Sequence, residues 1–226
     1  AVKIIGSAKQ TLPEGCVRAG HIINKEEVIY ALENAVEKAL NDLEDYVEDT
    51  IIGVTGDICT EITTTARAKR PPETPITNKE LNNLYEKIME ASPIQAQNDI
   101  MQMTGPYPEH LEIVTTSDVY IKIDEQLCEN PINQTGAVLE YAVFNAFVPS
   151  RHLKTLNKIC KKAGLNLVSV SSVPYAIVQA INHTQETPDY TLINISRDLT
   201  EVTIVFGGGV VTSKSLAIGH LHFIDG

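Results

Sequence analysis

Apolar positions recur at helical spacing in four stretches and at strand spacing in most of the others. After Asn24, the residues Val28, Leu32, Val36, Ala39, Leu43 and Tyr46 return every three or four positions. That period predicts a long helix with one buried face. Asn24 followed by Glu27 is a capping-box variant at its start, and Glu33, Glu37 and Glu44 fall off the stripe, on a solvated face. Thr77-Asn78-Lys79-Glu80 is a full capping box. The helix it opens carries Leu81, Leu84, Tyr85, Ile88 and Met89 on one side and is expected to end by Ser92-Pro93. Ser150 is expected to cap a third helix that Gly164 stops. Ser172 would cap a fourth, with Pro174 in its first turn.

Strand-like segments lie at Val2–Ile5, Thr50–Thr55, Thr60–Ala66 (read as the neighbour of the one before), Leu111–Thr116, Val119–Ile123, Ala137–Phe147 and Leu165–Val170. Gly6–Gly20 reads as a loop or hairpin. Ala68–Pro75 and Asn130–Gly136 are loops, and Gln95–Pro108 shows no clear period. Near the end, Tyr190–Ile195 reads as a buried strand. Glu201–Phe206 alternates Val202, Ile204 and Phe206 with Glu201, Thr203 and Val205, and Gly207-Gly208-Gly209 turns the chain into a third strand, Val210–Ala217. Between the first two of these lies the polar turn Ser196–Thr200. It is either an ordinary hairpin turn or one that aims several backbone amides at a phosphate. The order of strand, helix, a block of strands with two helices, strand, helix and meander predicts an α/β or α+β layered fold with an inserted module.

Composition narrows the function classes. At 226 residues the chain holds one large domain or two small ones, and its 43% apolar residues suffice for a core. A net charge of −11 argues against non-specific nucleic-acid binding. The four cysteines, Cys16, Cys59, Cys128 and Cys160, form no C-x-x-C pair and read as reduced, mostly buried thiols. No apolar run approaches the roughly 18 residues that span a bilayer, and no signal peptide is visible. Because the chain starts at Ala1 and stops at HFIDG without a closing element, it is expected to be a fragment of a longer protein. Arg151, Lys154, Lys158 and Lys161 line one face of the third helix, as either a solvated face or a surface for an acidic partner.

Three segments then read together. One is Gly20–Leu40 with IIGVTGD at Ile51–Asp57. Another is NPINQTGAVLEYAVFNAFVPSRHLKTLNKICKKAGL at Asn130–Leu165, with VSSVPYAIVQAI after it. The last is LINISRDLTEVTIVF with the strand ending in IGHLHFID. In this order and spacing they resemble FtsA, the bacterial actin-like cell-division family, over nearly the whole chain. The resemblance implies an actin-like, ribonuclease H-like ATPase fold with an inserted SHS2 module. Residues 1–48 and 165–226 would be pieces of the nucleotide-binding subdomain, and residues 49–164 the module. It also implies an ATP-binding adaptor that polymerises at the cytoplasmic, inner face of the membrane at the division site. Such an adaptor tethers FtsZ and recruits later division proteins through the module. The first phosphate hairpin, the FtsZ-binding face and the C-terminal membrane helix of the family fall outside this sequence.

At the family's second phosphate hairpin the usual pattern is Asp, an apolar residue, Gly-Gly-Gly, Thr-Thr, Asp. It falls here on Asn194, Ile195, Ser196-Arg197-Asp198, Leu199-Thr200 and Glu201. Asn194 puts a neutral amide where a carboxylate would hold Mg²⁺ through water, which implies weaker metal binding. Ser196 and Arg197 carry Cβ atoms where glycine lets the backbone approach phosphate. Thr200 matches, and the later Gly-Gly pair is Gly219-His220. The implied nucleotide-binding residues are Asn194, Ser196, Arg197, Asp198, Thr200 and Gly219, with ATP hydrolysis weak or absent. Arg197 either faces solvent or contacts phosphate directly. His220, His222 and Asp225 lack a specific metal spacing, and no residue set is assigned to catalysis. Two alternatives stay open: a PilM-like actin-fold scaffold of type IV pilus assembly, and an Hsp70-like ATPase, against which Asn194 and the lost glycines speak.

Overall fold

The computed structural model describes residues 3–41, 47–105, 109–184 and 189–224. Local signals decide where the helices start. After a two-residue ladder of β1 (Val17–Arg18) and β2 (His21–Ile22), α1 (Lys25–Leu40) begins at Asn24, whose side chain accepts from the amides of Glu26 and Glu27. Leu43, Glu44 and Tyr46 lie outside the described residues. Lys3–Ile5 forms no strand. Ile4 and Ile5 are 83% and 63% exposed: the residues favour a strand, but the segment has no ladder to join.

β3 (Asp49–Val54) does not pair with the strand that follows it. It pairs in parallel with β8 (Asn166–Ser172), far along the chain. The 3₁₀ turn Gly56–Ile58 redirects the chain, and β4 (Thr60–Lys69) instead joins β7 (Val138–Pro149) in a ten-residue antiparallel ladder. The predicted neighbour relation fails because the longer ladder lies with β7. The four-stranded sheet runs β4-β7-β5-β6, with β5 at Leu111–Ile123 and β6 at Gln126–Leu127. β5 unites the two predicted strands, and register shifts between Ile113 and Thr115 and between Asp118 and Tyr120 mark where they seemed to part.

β7 is central and covered on both faces, which explains its unbroken apolar run. On one face Leu139, Tyr141 and Val143 pack with Ile76, Leu84 and Ile88. The last two belong to α2 (Asn78–Thr104), which starts at the Thr77–Glu80 capping box. α2 does not end at Ser92-Pro93. Proline removes one donor, yet the helix continues because Ser92 and Ala96, either side of it, are fully buried. Ala96 packs with Ile62 and Phe147, and Asn145 Nδ2 donates to Ser92 Oγ at 3.4 Å.

On the other face Ala142, Phe144 and Ala146 pack with Val119, Val178, Val205 and Val210. Val178 belongs to α4 (Val173–Thr184), which Ser172 caps by accepting from the Tyr175 amide at 3.1 Å. α3 (Ser150–Lys162) has Ser150 as its first helical residue and not as its cap. The Ser150 hydroxyl is engaged by His110 Nδ1 at 2.6 Å. Gly164, at φ +71°, closes the helix end.

The last sheet runs β11-β10-β9, from β9 (Tyr190–Ile195), β10 (Thr200–Phe206) and β11 (Gly209–Leu216). Gly207 and Gly208, both at positive φ, make the two-residue β10–β11 turn. The inward face of β10 is Glu201, Thr203 and Val205, whereas Ile204 is 46% exposed. The alternation was legible, but its polar-bearing set faces inward, because a buried hydrogen-bond cluster fills that side. β9, expected to be buried, exposes Ile193 and Ile195 for the same alternating reason. α5 (His220–Ile224) ends the described chain.

Candidate functional site

The turn between β9 and β10 is built by its own polar residues. Ser196 donates to the Leu199 carbonyl with both its amide and its hydroxyl, each at 2.9 Å. The start of α5 docks on the turn. The His220 amide donates to the Ser196 carbonyl at 2.9 Å and the Leu221 amide to the Arg197 carbonyl at 3.3 Å. Thr200 Oγ1 donates to the Ile218 carbonyl at 2.6 Å. Gly219 is buried where any Cβ would overlap the Arg197 carbonyl and the Asp198 amide nitrogen, so only glycine fits the approach. Ser196, Arg197, Asp198, Thr200 and Gly219 therefore converge.

A cavity of about 560 Å³ opens beside them, lined among others by Glu14, Arg18, Arg197, Asp198, Leu221 and His222. Arg197 Nη2 donates to Glu14 Oε1 at 2.7 Å, so the arginine neither faces only solvent nor stands free for an anion. Glu14 and Arg18 were missed from sequence. They are distant along the chain, and no local pattern marks them.

Asn194 turns the other way. Its Nδ2 donates to Glu201 Oε2 at 3.0 Å. Glu201, 2% exposed, also accepts from the Gly56 amide at 3.0 Å and from the Thr55 hydroxyl, tying the hairpin to the turn after β3. Nearby, the buried Glu61 accepts from the hydroxyls of Ser172 and Ser213. Burial raises its pKa from the ordinary 4.5, the two hydroxyls pull it down, and the charge of Glu201 pushes it up again. Burial also lifts the Cys59 thiol well above its ordinary range, helped by Glu61 and Glu201. It therefore stays a thiol at neutral pH.

The raised Glu61 carboxyl sets a pH dependence. The fold favours its protonated form, so this contribution to stability is complete below pH 4.5 and is lost as pH rises through the higher folded pKa. Glu61→Gln keeps an acceptor for the hydroxyls and removes the titration. Thermal melts from acid to neutral pH should show the variant losing less stability with rising pH than the wild type.

No protein-family model matches the sequence, and no curated protein matches it. Among solved structures the chain is similar to one from the PilM–PilN type IV pilus biogenesis complex, with a TM-score of 0.64 and 15% identity, covering 98% of this chain. The fold is the actin-like ATPase fold. The chain spans 56% of the length of the solved chain it matches.

Proposed function

We propose that this protein is a nucleotide-binding actin-fold scaffold whose work is binding and recruitment, not turnover. The hairpin carries the reading. Side chains stand at Ser196, Arg197 and Asp198 where glycines would let the backbone wrap phosphate, and the Asn194 amide is committed to Glu201. Arg18 is the pocket's cation for a phosphate, and Arg197 would join it on exchanging Glu14 for the phosphate. Mg²⁺ would arrive with ATP, held mainly by phosphate and water, with Asp198 as the carboxylate beside it. Its chemistry there is charge neutralisation of the phosphates.

In this reading residues 1–48 and 165–226 form the nucleotide-binding subdomain. The β4-β7-β5-β6 sheet with α2 is the SHS2-type module within 49–164. The pairing of β3, at the start of that span, with β8 just after it supports this, since the chain leaves one sheet for the β4-β7-β5-β6 sheet and then returns to it. The sequence segments favour an FtsA-like adaptor that polymerises at the inner membrane face, tethers FtsZ and recruits later division proteins. The likeness to a chain of the PilM–PilN complex favours a second reading, a pilus-assembly scaffold with a pilus protein as partner. Co-sedimentation of the complete protein with FtsZ filaments of the same organism supports the first. Its absence, with capture of a pilus-assembly protein instead, selects the second.

Calorimetry of Mg-ATP binding tests the site itself. Arg197→Ala is expected to weaken ATP binding about tenfold, the worth of one charge-assisted contact. Glu14→Gln, which frees Arg197, should strengthen it. Unchanged affinity in both variants would remove the hairpin from nucleotide binding.

A further inference from the structure

Among the described residues of this acidic chain, α3 presents a strongly basic face. Along α3 stand Arg151, Lys154, Lys158, Lys161 and Lys162, all exposed, and the helix holds no Asp or Glu. Leu156, Ile159 and Cys160 occupy its buried side. Arg151 is paired with Glu109 at 2.7 Å. The four lysines have no ion-pair partner among the described residues. Lys161 and Lys162 complement the dipole at the helix C-terminus, but Arg151 and Lys154 lie in the first turns, where the dipole disfavours cations. Helix stability therefore does not account for the stripe.

Arg151 to Lys161 spans about 15 Å at 1.5 Å per residue. Carboxylates bound the stripe. Glu109 lies at its start. α1 runs alongside: His21 of β2, just before it, has its ring 4.9 Å from that of His152, and Val36 and Leu40 of α1 line one cavity with Ala163 at the other end. Glu33 and Glu37 of α1 line that same cavity. These flanking acids, with a net charge of −11, repel a broad polyanion such as a membrane or a nucleic-acid backbone.

We propose that the basic face of α3 docks an acidic segment of a partner protein, with carboxylates at helical or alternating spacing that meet Lys154, Lys158 and Lys161 in turn. This deepens the scaffold reading by naming one partner chemistry, and it does not depend on the nucleotide pocket.

Fluorescence anisotropy with a labelled peptide of about eight glutamates tests it. The wild type should bind, more weakly as salt rises. Lys154→Glu/Lys158→Glu/Lys161→Glu should weaken binding on the order of tenfold or more, while the triple Lys→Arg variant retains it. Melting temperature and ATP affinity, read on the same samples, should stay at wild-type values in both variants. A fall in ATP affinity alone would bear on the nucleotide site and not on this face. Equal peptide binding by wild type and charge-reversed protein overturns the proposal, and so does no binding by either. Stronger binding to phosphatidylserine vesicles than to the peptide would make the occupant a membrane. Self-association in sedimentation that the charge reversal abolishes would make it a second copy, and either result overturns the proposal.

Discussion

Glu201→Ala is expected to destabilise the protein by about 2–4 kcal/mol, read as a fall in the urea midpoint. The carboxylate is 2% exposed and serves three donors: the Asn194 amide, the Gly56 amide and the Thr55 hydroxyl. Alanine leaves all three without an acceptor in a site that water enters poorly, and each orphaned group costs on the order of 1 kcal/mol or more. One term opposes this. Removing the charge relieves Glu61, whose pKa Glu201 helps to raise. The variant should therefore show a weaker decline of stability with pH as well as a lower midpoint. Glu201→Gln returns one acceptor but sets its NH₂ among donors, so it should fall between wild type and alanine. Because Glu201 ties the hairpin to the turn after β3, ATP affinity should fall with stability in the alanine variant. A stability within about 0.5 kcal/mol of wild type would mean that the three donors find other acceptors.

What the sequence revealed follows range of interaction. Helix starts are local, and the caps at Asn24, Thr77 and Ser172 were each readable from a few adjacent residues. The passage of α2 through Pro93 was not, because the burial of Ser92 and Ala96 that holds it there comes from β4 and β7. The β3–β8 pairing was hidden for a similar reason: parallel strands meet only after a long crossover. In β10 the period was right and the inward face wrong. Hydrophobicity alone assigns Ile204 to the core, whereas Glu201 and Thr203 are buried by partners that a single strand does not display. At the site, the Ser196–Thr200 turn was legible from its own residues, whereas Gly219 entered only through the resemblance to the FtsA family. Glu14 was not, since it reaches Arg197 across 183 positions.

The second large effect lies where the two sheets meet. Phe144 is fully buried on β7, stacked on Tyr175 of α4 with ring centroids 5.6 Å apart and planes 8° apart, and it shares a cluster with Val119, Val178, Val205 and Val210. Phe144→Ala removes a ring from a site whose neighbours come from four different elements, so no single one can move in to fill the space. The expected cost is about 3–5 kcal/mol, a large share of the roughly 5–15 kcal/mol that stabilises a domain. Phe147→Ala, equally buried but packed with Ile62, Ala96 and Leu111 on the α2 side, makes a matched comparison. If the chain unfolds as one unit, both variants lower the urea midpoint with an unchanged denaturant slope. If the β4-β7-β5-β6 sheet is instead a module joined to the β9–β11 meander through Phe144, only Phe144→Ala should split the transition in two. The hairpin signals would then be lost before those of α2. A single unchanged slope for Phe144→Ala would mean that the four-stranded sheet and the hairpin-bearing sheet share one cooperative core.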